Sequence, residues 1–289
     1  MKLFRRTSRS WPPAWSFDAG AIIWRFLFDG DGRIVGEARD PERKHAWYFC
    51  LDEHSGTPFW NDLRMDEPWW VGIEGIASGR LYLHGYRKPD MPQHLGITAI
   101  DIPSGRQLWH NGTLTFLLAV DADVYAMRET FGGMRFFRLS PTDGAVVEEL
   151  GEDMERISAL RQRVNEENLF RGYRYPQPYR DDHPHYPAIS GTVHDIVRPQ
   201  QVTGDLDVLF EAPLLCVSWH ETADSAGEAG LRQCFEARDM NSGRTVLRET
   251  ILDAAAAPGM DSFFLKDDQL MYIKNRSILT AHDLNGVPA

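Results

Sequence analysis

The segment Asp66-Glu67-Pro68-Trp69-Trp70 combines side chains that could bind a ligand. Its two carboxylates precede two indole rings, and aromatic faces beside carboxylates suit a sugar or a cationic ligand. The same pattern also fits a structural interpretation, in which the tryptophan pair opens a strand and packs into the fold. Both interpretations are compatible with the spacing.

A second segment, His183-Pro184-His185-Tyr186, follows two aspartates and carries side chains that can bind metal ions. The proline between the histidines favours an extended backbone, which lets both rings project to the same side. No third ligand follows at a set spacing, so we expect neither a resident metal nor a cofactor. The candidate ligand-binding residues are Asp66, Glu67, Trp69, Trp70, His183, His185 and Tyr186.

Other groups of residues are weaker evidence for a binding or catalytic site. His84 and His94, with Arg87 and Lys88 between them, could bind an anion, but the nearby Asp90 makes this stretch typical of a solvated loop. The sequence contains no Gly-x-Ser-x-Gly elbow, no P-loop and no GxGxxG fingerprint. No catalytic residue is therefore predicted.

Composition narrows the classes of partner. The chain has 289 residues, with 31 Lys and Arg against 42 Asp and Glu, for a net charge of −11. Such a surface repels phosphate backbones, so we expect no nucleic-acid partner. No apolar run approaches the roughly 20 residues of a membrane span, and we expect no membrane association. Three isolated cysteines and a basic start without an apolar signal core predict a cytoplasmic location.

A turn phrase of the form Asp-x-x-Ser-Gly recurs along the chain. Aspartate and serine side chains bond their own backbone in such turns, and glycine supplies a positive φ. Because Ser55, Ser104 and Ser242 hold the same position in this turn, we predict a structural role for these serines. The phrase occupies residues 52–56, 101–105, 140–144 (as Ser-x-x-Asp-Gly), 239–243 and, shortened, 283–286.

The segments around each turn predict four strands per repeat. An apolar strand, a short turn, a second strand and a variable loop precede a third strand, and the turn then leads to a fourth. A period of roughly 40–45 residues with four antiparallel strands is typical of a propeller blade. The sequence predicts one all-β domain over residues 1–289, a single β-propeller of about five blades. The predicted blades are 22–62, 69–112, 114–150, 206–251, and 261–286 completed by 14–18.

Residues 151–205 interrupt the repeat. Met154, Ile157, Leu160 and Val164 recur at helical spacing and predict an amphipathic helix. The following stretch is rich in tyrosine and proline, and we expect an ordered but irregular excursion there. An alternative is a degenerate sixth blade that uses residues 189–197. At the other end, residues 14–18 are expected to complete the last blade and close the ring.

The phrase Asp-x-x-Ser-Gly-x-x-x-Trp, complete at residues 52–60 and 101–109, resembles the repeat of quinoprotein-like (PQQ-type) propellers. The resemblance implies a propeller in which Trp60 and Trp109 dock between neighbouring blades. It does not extend to a cofactor, because the adjacent cysteines and additional blades of the dehydrogenases in that group are missing. The whole chain also resembles an uncharacterised bacterial family of unknown function.

We expect a binding or interaction module that uses the face carrying the insertion, with a protein or a small molecule as its partner. Rigid rings with variable loops suit that role. The alternative is an enzyme that acts on a carbohydrate or another polar small molecule at the mouth of the central channel.

Overall fold

The computed structural model describes residues 11–88, 91–168, 172–225, 228–255 and 262–288. These residues form a protein of the predicted all-β class, with two α-helices. The strands are β1 (Trp15–Asp18), β2 (Ile22–Phe28), β3 (Arg33–Asp40), β4 (His45–Asp52), β5 (Pro58–Leu63), β6 (Val71–Ala77), β7 (Arg80–Lys88), β8 (Met91–Asp101), β9 (Gln107–Asn111), β10 (Thr115–Val120), β11 (Asp123–Thr130), β12 (Gly133–Leu139), β13 (Val146–Gly151), β14 (Tyr173–Arg174), β15 (Gln177–Pro178), β16 (Val202–Glu211), β17 (Leu214–Ser225), β18 (Glu228–Asp239), β19 (Arg244–Ala255), β20 (Phe263–Lys266), β21 (Gln269–Lys274) and β22 (Ile278–Asp283). The helices are α1 (Met154–Asn168) and α2 (Tyr186–Val197), and a short 3₁₀ turn spans Leu284–Gly286.

Contacts divide the chain into two compact units. The N-terminal unit is Ala19–Arg171, and the C-terminal unit joins Met1–Asp18 to Gly172–Ala289. The basic segment 1–10 lies outside the described residues. No described helix has the length and apolar content needed to cross a membrane.

The sheets of the N-terminal unit are antiparallel meanders of consecutive strands. Strands β2 to β5 form the first, β6 to β9 the second and β10 to β13 the third. The second and third are joined by one parallel bridge, between Thr115 and Gly96. The first two sheets share a core in which Val35 and Cys50 pack with Ile73, Leu81 and Leu83. Hairpin connections between strands with alternating apolar residues produce this arrangement.

The C-terminal unit contains two five-stranded sheets. One runs β15-β16-β17-β18-β19, and the other runs β14-β20-β21-β22-β1. Strand β1 pairs antiparallel with β22, with Trp15 opposite Ala281, so the N-terminal segment supplies an outer strand of this sheet. The pairing protects the edge of β22, which would otherwise present unpaired backbone groups.

The recurring serines are structural, as predicted. The Ser55 hydroxyl and backbone N–H both donate to the Asp52 carboxylate at 2.8 Å. Ser242 repeats the hydroxyl contact with Asp239 at 2.6 Å, and Ser104 repeats it with Asp101. The turn glycines have φ values of 65–70° at residues 56, 105, 144 and 243. Such values favour glycine over any residue with a Cβ.

Two tryptophans of the N-terminal unit pack on the turn glycine of the following sheet. Trp60 donates its indole N–H to Ile102 O at 2.6 Å, and its ring covers Gly105. Trp109 donates to Pro141 O at 2.8 Å, and its ring covers Gly144. The contacts tie each sheet to the next through a side chain and a turn.

The segment 151–205 contains more helix than the sequence indicated. Helix α1 confirms the predicted amphipathic helix, and Ile157 and Leu160 are buried against the third sheet. The alternative of a sixth blade from residues 189–197 is wrong, because that stretch is helix α2. Proline is tolerated in the first turn of a helix, so Pro187 starts α2 where we expected irregular structure.

Candidate functional site

Three strands of the second sheet bring polar side chains to one face. Successive residues of a strand alternate between faces, so His84 and Tyr86 of β7 project to the same side. His94 of β8 lies directly opposite Tyr86. On the other flank, Gly72 of β6 lies opposite His84, and Glu74 follows two residues later. The register therefore gathers two imidazoles, a phenol and a carboxylate.

Two irregularities in the strand pairing flank these residues. The register between β6 and β7 shifts between Ile73 and Gly75, which leaves Glu74 without a cross-strand partner. The register between β7 and β8 shifts where His84 pairs with Ile97 and Gly85 pairs with Leu95, which leaves Gly96 without a partner on β7. Such β-bulges re-aim side chains and are over-represented next to active sites.

Gly72 makes room for the His84 ring. A Cβ at this position would lie 2.9 Å from His84 Cε1 and 3.1 Å from an Arg39 guanidinium nitrogen. Real Cβ atoms essentially never approach heavy atoms under 3.0 Å. Because Gly72 has no side chain, the His84 ring can lie against β6 at this point.

The ligand atoms of Glu74, His84 and His94 all lie within 4.8 Å of one another. His94 Nδ1 is 2.6 Å from Glu74 Oε1, and His84 Nδ1 is 3.4 Å from the same oxygen. The two imidazole rings are stacked, with centroids 3.6 Å apart and planes 6° from parallel. We call this group the Glu74–His84–His94 cluster. Both Nδ1 atoms lie on the side of the Glu74 carboxylate.

His84 is buried without a hydrogen-bond partner. Both ring nitrogens are buried, and neither has a hydrogen-bond partner among the described residues, although Glu74 Oε1 lies 3.4 Å from Nδ1. Burial, together with smaller electrostatic contributions from His94, Arg39 and Arg25, lowers the pKa of His84 to about 3. The ring is therefore neutral near pH 7 and offers a lone pair. Burial raises the pKa of Glu74, and its hydrogen bond to His94 opposes that rise.

Arginines of the first sheet hold β6 in place beside the cluster. Arg39 pairs with Glu37 and donates to Trp69 O at 3.0 Å, while Glu37 accepts from the Ile73 N–H at 2.8 Å. Arg25 donates to Ile73 O at 2.9 Å. These hydrogen bonds hold the backbone of β6 on both sides of Gly72. They therefore fix the position of β6 relative to β3.

Access to the cluster is one-sided. The His84 side chain is 8% exposed and Glu74 17%, whereas His94 is 35% exposed. The His94 ring meets Tyr86 edge-on at 5.2 Å, and Tyr86 meets the half-exposed Trp70 at 5.6 Å. Solvent therefore reaches the cluster from the side of His94, beside two aromatic rings.

Two imidazole nitrogens and one carboxylate oxygen form a ligand set that suits a divalent transition metal. Zinc and non-haem iron sites use two histidines with one carboxylate, at metal–ligand distances of about 2.0–2.2 Å. Parallel rings do not aim both lone pairs at one point, so binding requires the rings to tilt apart. His94 is the more exposed of the two rings, so the tilt is expected there.

The candidate residues 66–70 are arranged differently from the cluster. Glu67 accepts from the backbone N–H groups of Trp69 and Trp70, at 3.0 Å each, which commits that oxygen to the turn. Trp69 packs under Arg39 and Lys44, at 5.0 and 4.8 Å from the ring centroid. Asp66 is exposed. Within this group, Trp70 alone extends toward the cluster, through its contact with Tyr86.

The candidate histidines of the C-terminal unit form a packing group. His183 is buried, and its Nδ1 accepts from the His185 N–H at 3.2 Å. Burial lowers the pKa of His183, and a hydrogen bond with the Val208 backbone opposes this. His185 lies against Phe210 at 5.3 Å, and Tyr186 stacks on Tyr179 at 5.4 Å. These three side chains therefore contact neighbouring protein groups.

Sequence inspection did not identify the cluster. It placed His84 and His94 in a solvated loop, but they lie on strands β7 and β8, and His84 is buried. Glu74 was not singled out at all. The alternation of His84 with Tyr86 within an apolar strand was the available signal, while the partners contributed by β6 and β8 depend on bulges.

Comparisons with known proteins add little about chemistry. A model of a domain of unknown function, DUF4905, matches residues 29–109, the segment that contains the whole cluster. A search of curated proteins finds no match. Among solved structures, a GH43_1 enzyme from Xanthomonas citri is 13% identical, covers 96% of this chain and 91% of its own, and has a TM-score of 0.30. A GH43 endo-arabinanase from Bacillus licheniformis is 8% identical, with coverages of 89% and 91% and a TM-score of 0.25. Identities of 8–13% and TM-scores of 0.25–0.30 assign neither a fold nor an activity to this chain.

Proposed function

We propose that the chain is a β-propeller-type binding module whose ligand is a divalent transition-metal ion, held by Glu74, His84 and His94. The observation that carries the proposal is the buried His84 ring, which has no described hydrogen-bond partner and lies beside a carboxylate and a second imidazole. A buried polar group without a partner is costly, so such groups indicate a missing water, ion or ligand. A metal ion would satisfy His84.

The propeller proposal, a single domain of about five blades, rests on repetition. Antiparallel meanders of four strands recur along the chain, and the same Asp-x-x-Ser-Gly turn precedes the last strand of several of them. The tryptophan–glycine contacts at Gly105 and Gly144 support the resemblance to the quinoprotein-like repeat at the level of packing. They do not argue for its cofactor.

Zinc titration by calorimetry of the purified, chelator-treated protein tests the metal proposal. We expect one zinc ion per chain, and a higher unfolding temperature in excess zinc, because a ligand that binds only the folded state stabilises it. His94→Ala should weaken binding at least about ten-fold, since it removes a direct ligand. His94 is the suitable target, because its side chain is half-buried, whereas His84 is buried.

His185→Ala is the matched control, since His185 is exposed and belongs to the histidine pair of the C-terminal unit. We expect it to bind zinc as the unaltered protein does. Zinc binding that survives His94→Ala but is lost in His185→Ala would transfer the site to that pair and contradict the proposal.

A further inference from the structure

We propose that Tyr86 is a positioning residue of the metal site and that it couples metal binding to the exposed ring of Trp70. This inference rests on the metal-binding function proposed above. It names the residue through which occupancy of the Glu74–His84–His94 cluster changes the protein surface beside it. The ring contacts around Tyr86 carry the inference.

Tyr86 contacts both imidazole rings of the cluster. It lies two residues after His84 on β7 and directly opposite His94 on β8. Its ring centroid is 5.1 Å from that of His84, with the planes 77° apart, and 5.2 Å from that of His94, with the planes 80° apart. The phenol ring therefore stands nearly perpendicular to the stacked pair and holds both members through edge contacts.

The same phenol ring also contacts Trp70. Val71 pairs with Gly85, which places Trp70 beside Tyr86 at the end of the ladder between β6 and β7. The two ring centroids are 5.6 Å apart, with the planes 76° apart. The Trp70 backbone N–H donates to Glu67 at 3.0 Å, whereas 38% of the residue is exposed. The Trp70 side chain can therefore move while its backbone stays in the turn.

Metal binding requires a change in the stacked imidazoles. Their centroids are 3.6 Å apart and their planes are within 6° of parallel, so the lone pairs of the two Nδ1 atoms lie in parallel planes and do not meet. His84 has little freedom, because its side chain is 8% exposed and its Cε1 lies 2.9 Å from the position of a Cβ at Gly72. We therefore expect His94, with 35% of its side chain exposed, to tilt.

The tilt of His94 changes its contact with Tyr86. Closely packed groups leave little free space, so a ring in such a group moves only if its neighbours move as well. Tyr86 is half-buried and contacts both His94 and Trp70. A displacement of the His94 ring should thus reach Trp70 through Tyr86. The exposed surface of Trp70 should then differ between the metal-free and the metal-loaded protein.

Tryptophan fluorescence measured during a zinc titration tests this coupling. Zn²⁺ has a filled d shell and does not quench fluorescence by absorbing the emitted light, so a change in emission reports a change around an indole ring. The chelator-treated protein is titrated with zinc, and calorimetry of the same sample gives the occupancy. We expect a saturable change in emission that is complete when one zinc ion per chain is bound.

Four variants assign that change, and each is compared at zinc saturation as determined by calorimetry. Trp70→Phe should lose the change, because it removes the indole that reports it. Trp24→Phe is the matched control, since it removes another exposed indole of the N-terminal unit, and it should keep the change. Tyr86→Ala should lose the change although Trp70 remains. Tyr86→Phe retains the aromatic ring and should keep it.

The outcomes separate the inference from the proposed function. If zinc binds but the emission does not change, or the change survives Trp70→Phe, the coupling is overturned while the metal site stands. If the change survives Tyr86→Ala, or is lost in Tyr86→Phe as well, transmission through the Tyr86 ring is overturned. If zinc does not bind at all, the proposed function fails, and the inference fails with it.

Discussion

Gly72 determines where His84 can lie. Its backbone occupies ordinary strand conformation, so an alanine there meets no backbone penalty and acts only through its Cβ. That atom would lie 2.9 Å from the His84 ring. We expect Gly72→Ala to destabilise the protein by about 1–3 kcal/mol, the range for overpacking a buried site, and to weaken zinc binding. Urea unfolding and zinc calorimetry measure the two effects.

Gly75 provides the matched control on the same strand. A Cβ at Gly75 would make only an ordinary contact, 3.9 Å from the Phe116 ring. Gly75→Ala should therefore leave stability and zinc binding close to those of the unaltered protein. Equal effects of the two substitutions would show that the space above His84 does not matter.

At this scale the sequence predicted little of the site. His84 and His94 were recognised as residues that could bind an ion, but the interpretation of residues 87–94 as a solvated loop removed them from consideration. Their neighbourhood depends on the bulges at Glu74 and Gly96, two residues that have no partner on β7. A bulge changes which residues face each other, and single-sequence alternation does not reveal it.

At the scale of elements, each repeated turn is also a packing surface. Gly144 has a φ of 70°, and a Cβ there would lie 2.5 Å from the Trp109 ring. Gly79 has a φ of 71° and nothing within 4 Å of its Cβ position. Both alanine substitutions pay about 1–2 kcal/mol for the left-handed conformation. We expect Gly144→Ala to cost about 1–3 kcal/mol more, because it also displaces Trp109.

Chemical denaturation of the two variants in parallel measures this difference. Indistinguishable midpoints would mean that Trp109 does not anchor the third sheet. The turns themselves were predictable, because Asp, Ser and Gly act through local backbone bonds that the sequence states directly. Helix α2 was not predictable in the same way, because Pro187 and the surrounding prolines favour irregular structure. The helix is stabilised by the burial of Ile189, Val193 and Ile196, which depends on the tertiary structure.

At the scale of the whole molecule, the all-β class follows from the repeat and is confirmed, whereas ring closure and the blade count stay predictions. The N-terminal segment is the part of that prediction with a measurable consequence. Trp11 is 1% exposed, and its indole N–H donates to Asp283 O at 3.0 Å. Strand β1 then pairs with β22.

Deletion of residues 1–18 should destabilise the protein by at least about 3 kcal/mol, the cost of removing one large buried aromatic side chain. It should also increase aggregation, because the edge of β22 becomes unpaired. Deletion of residues 1–10 keeps Trp11 and β1 and serves as the control. Urea unfolding and light scattering compare the two. Equal stability and solubility would contradict a structural role for β1.

The metal site is the central claim, and a crystal structure of the zinc-loaded protein tests it most directly. Diffraction data collected on both sides of the zinc absorption edge locate the ion independently of any other density. The claim predicts one anomalous peak within about 2.0–2.2 Å of a nitrogen of His84, a nitrogen of His94 and an oxygen of Glu74. An anomalous peak at His183 and His185 instead, or none at the cluster in crystals grown with excess zinc, would contradict it.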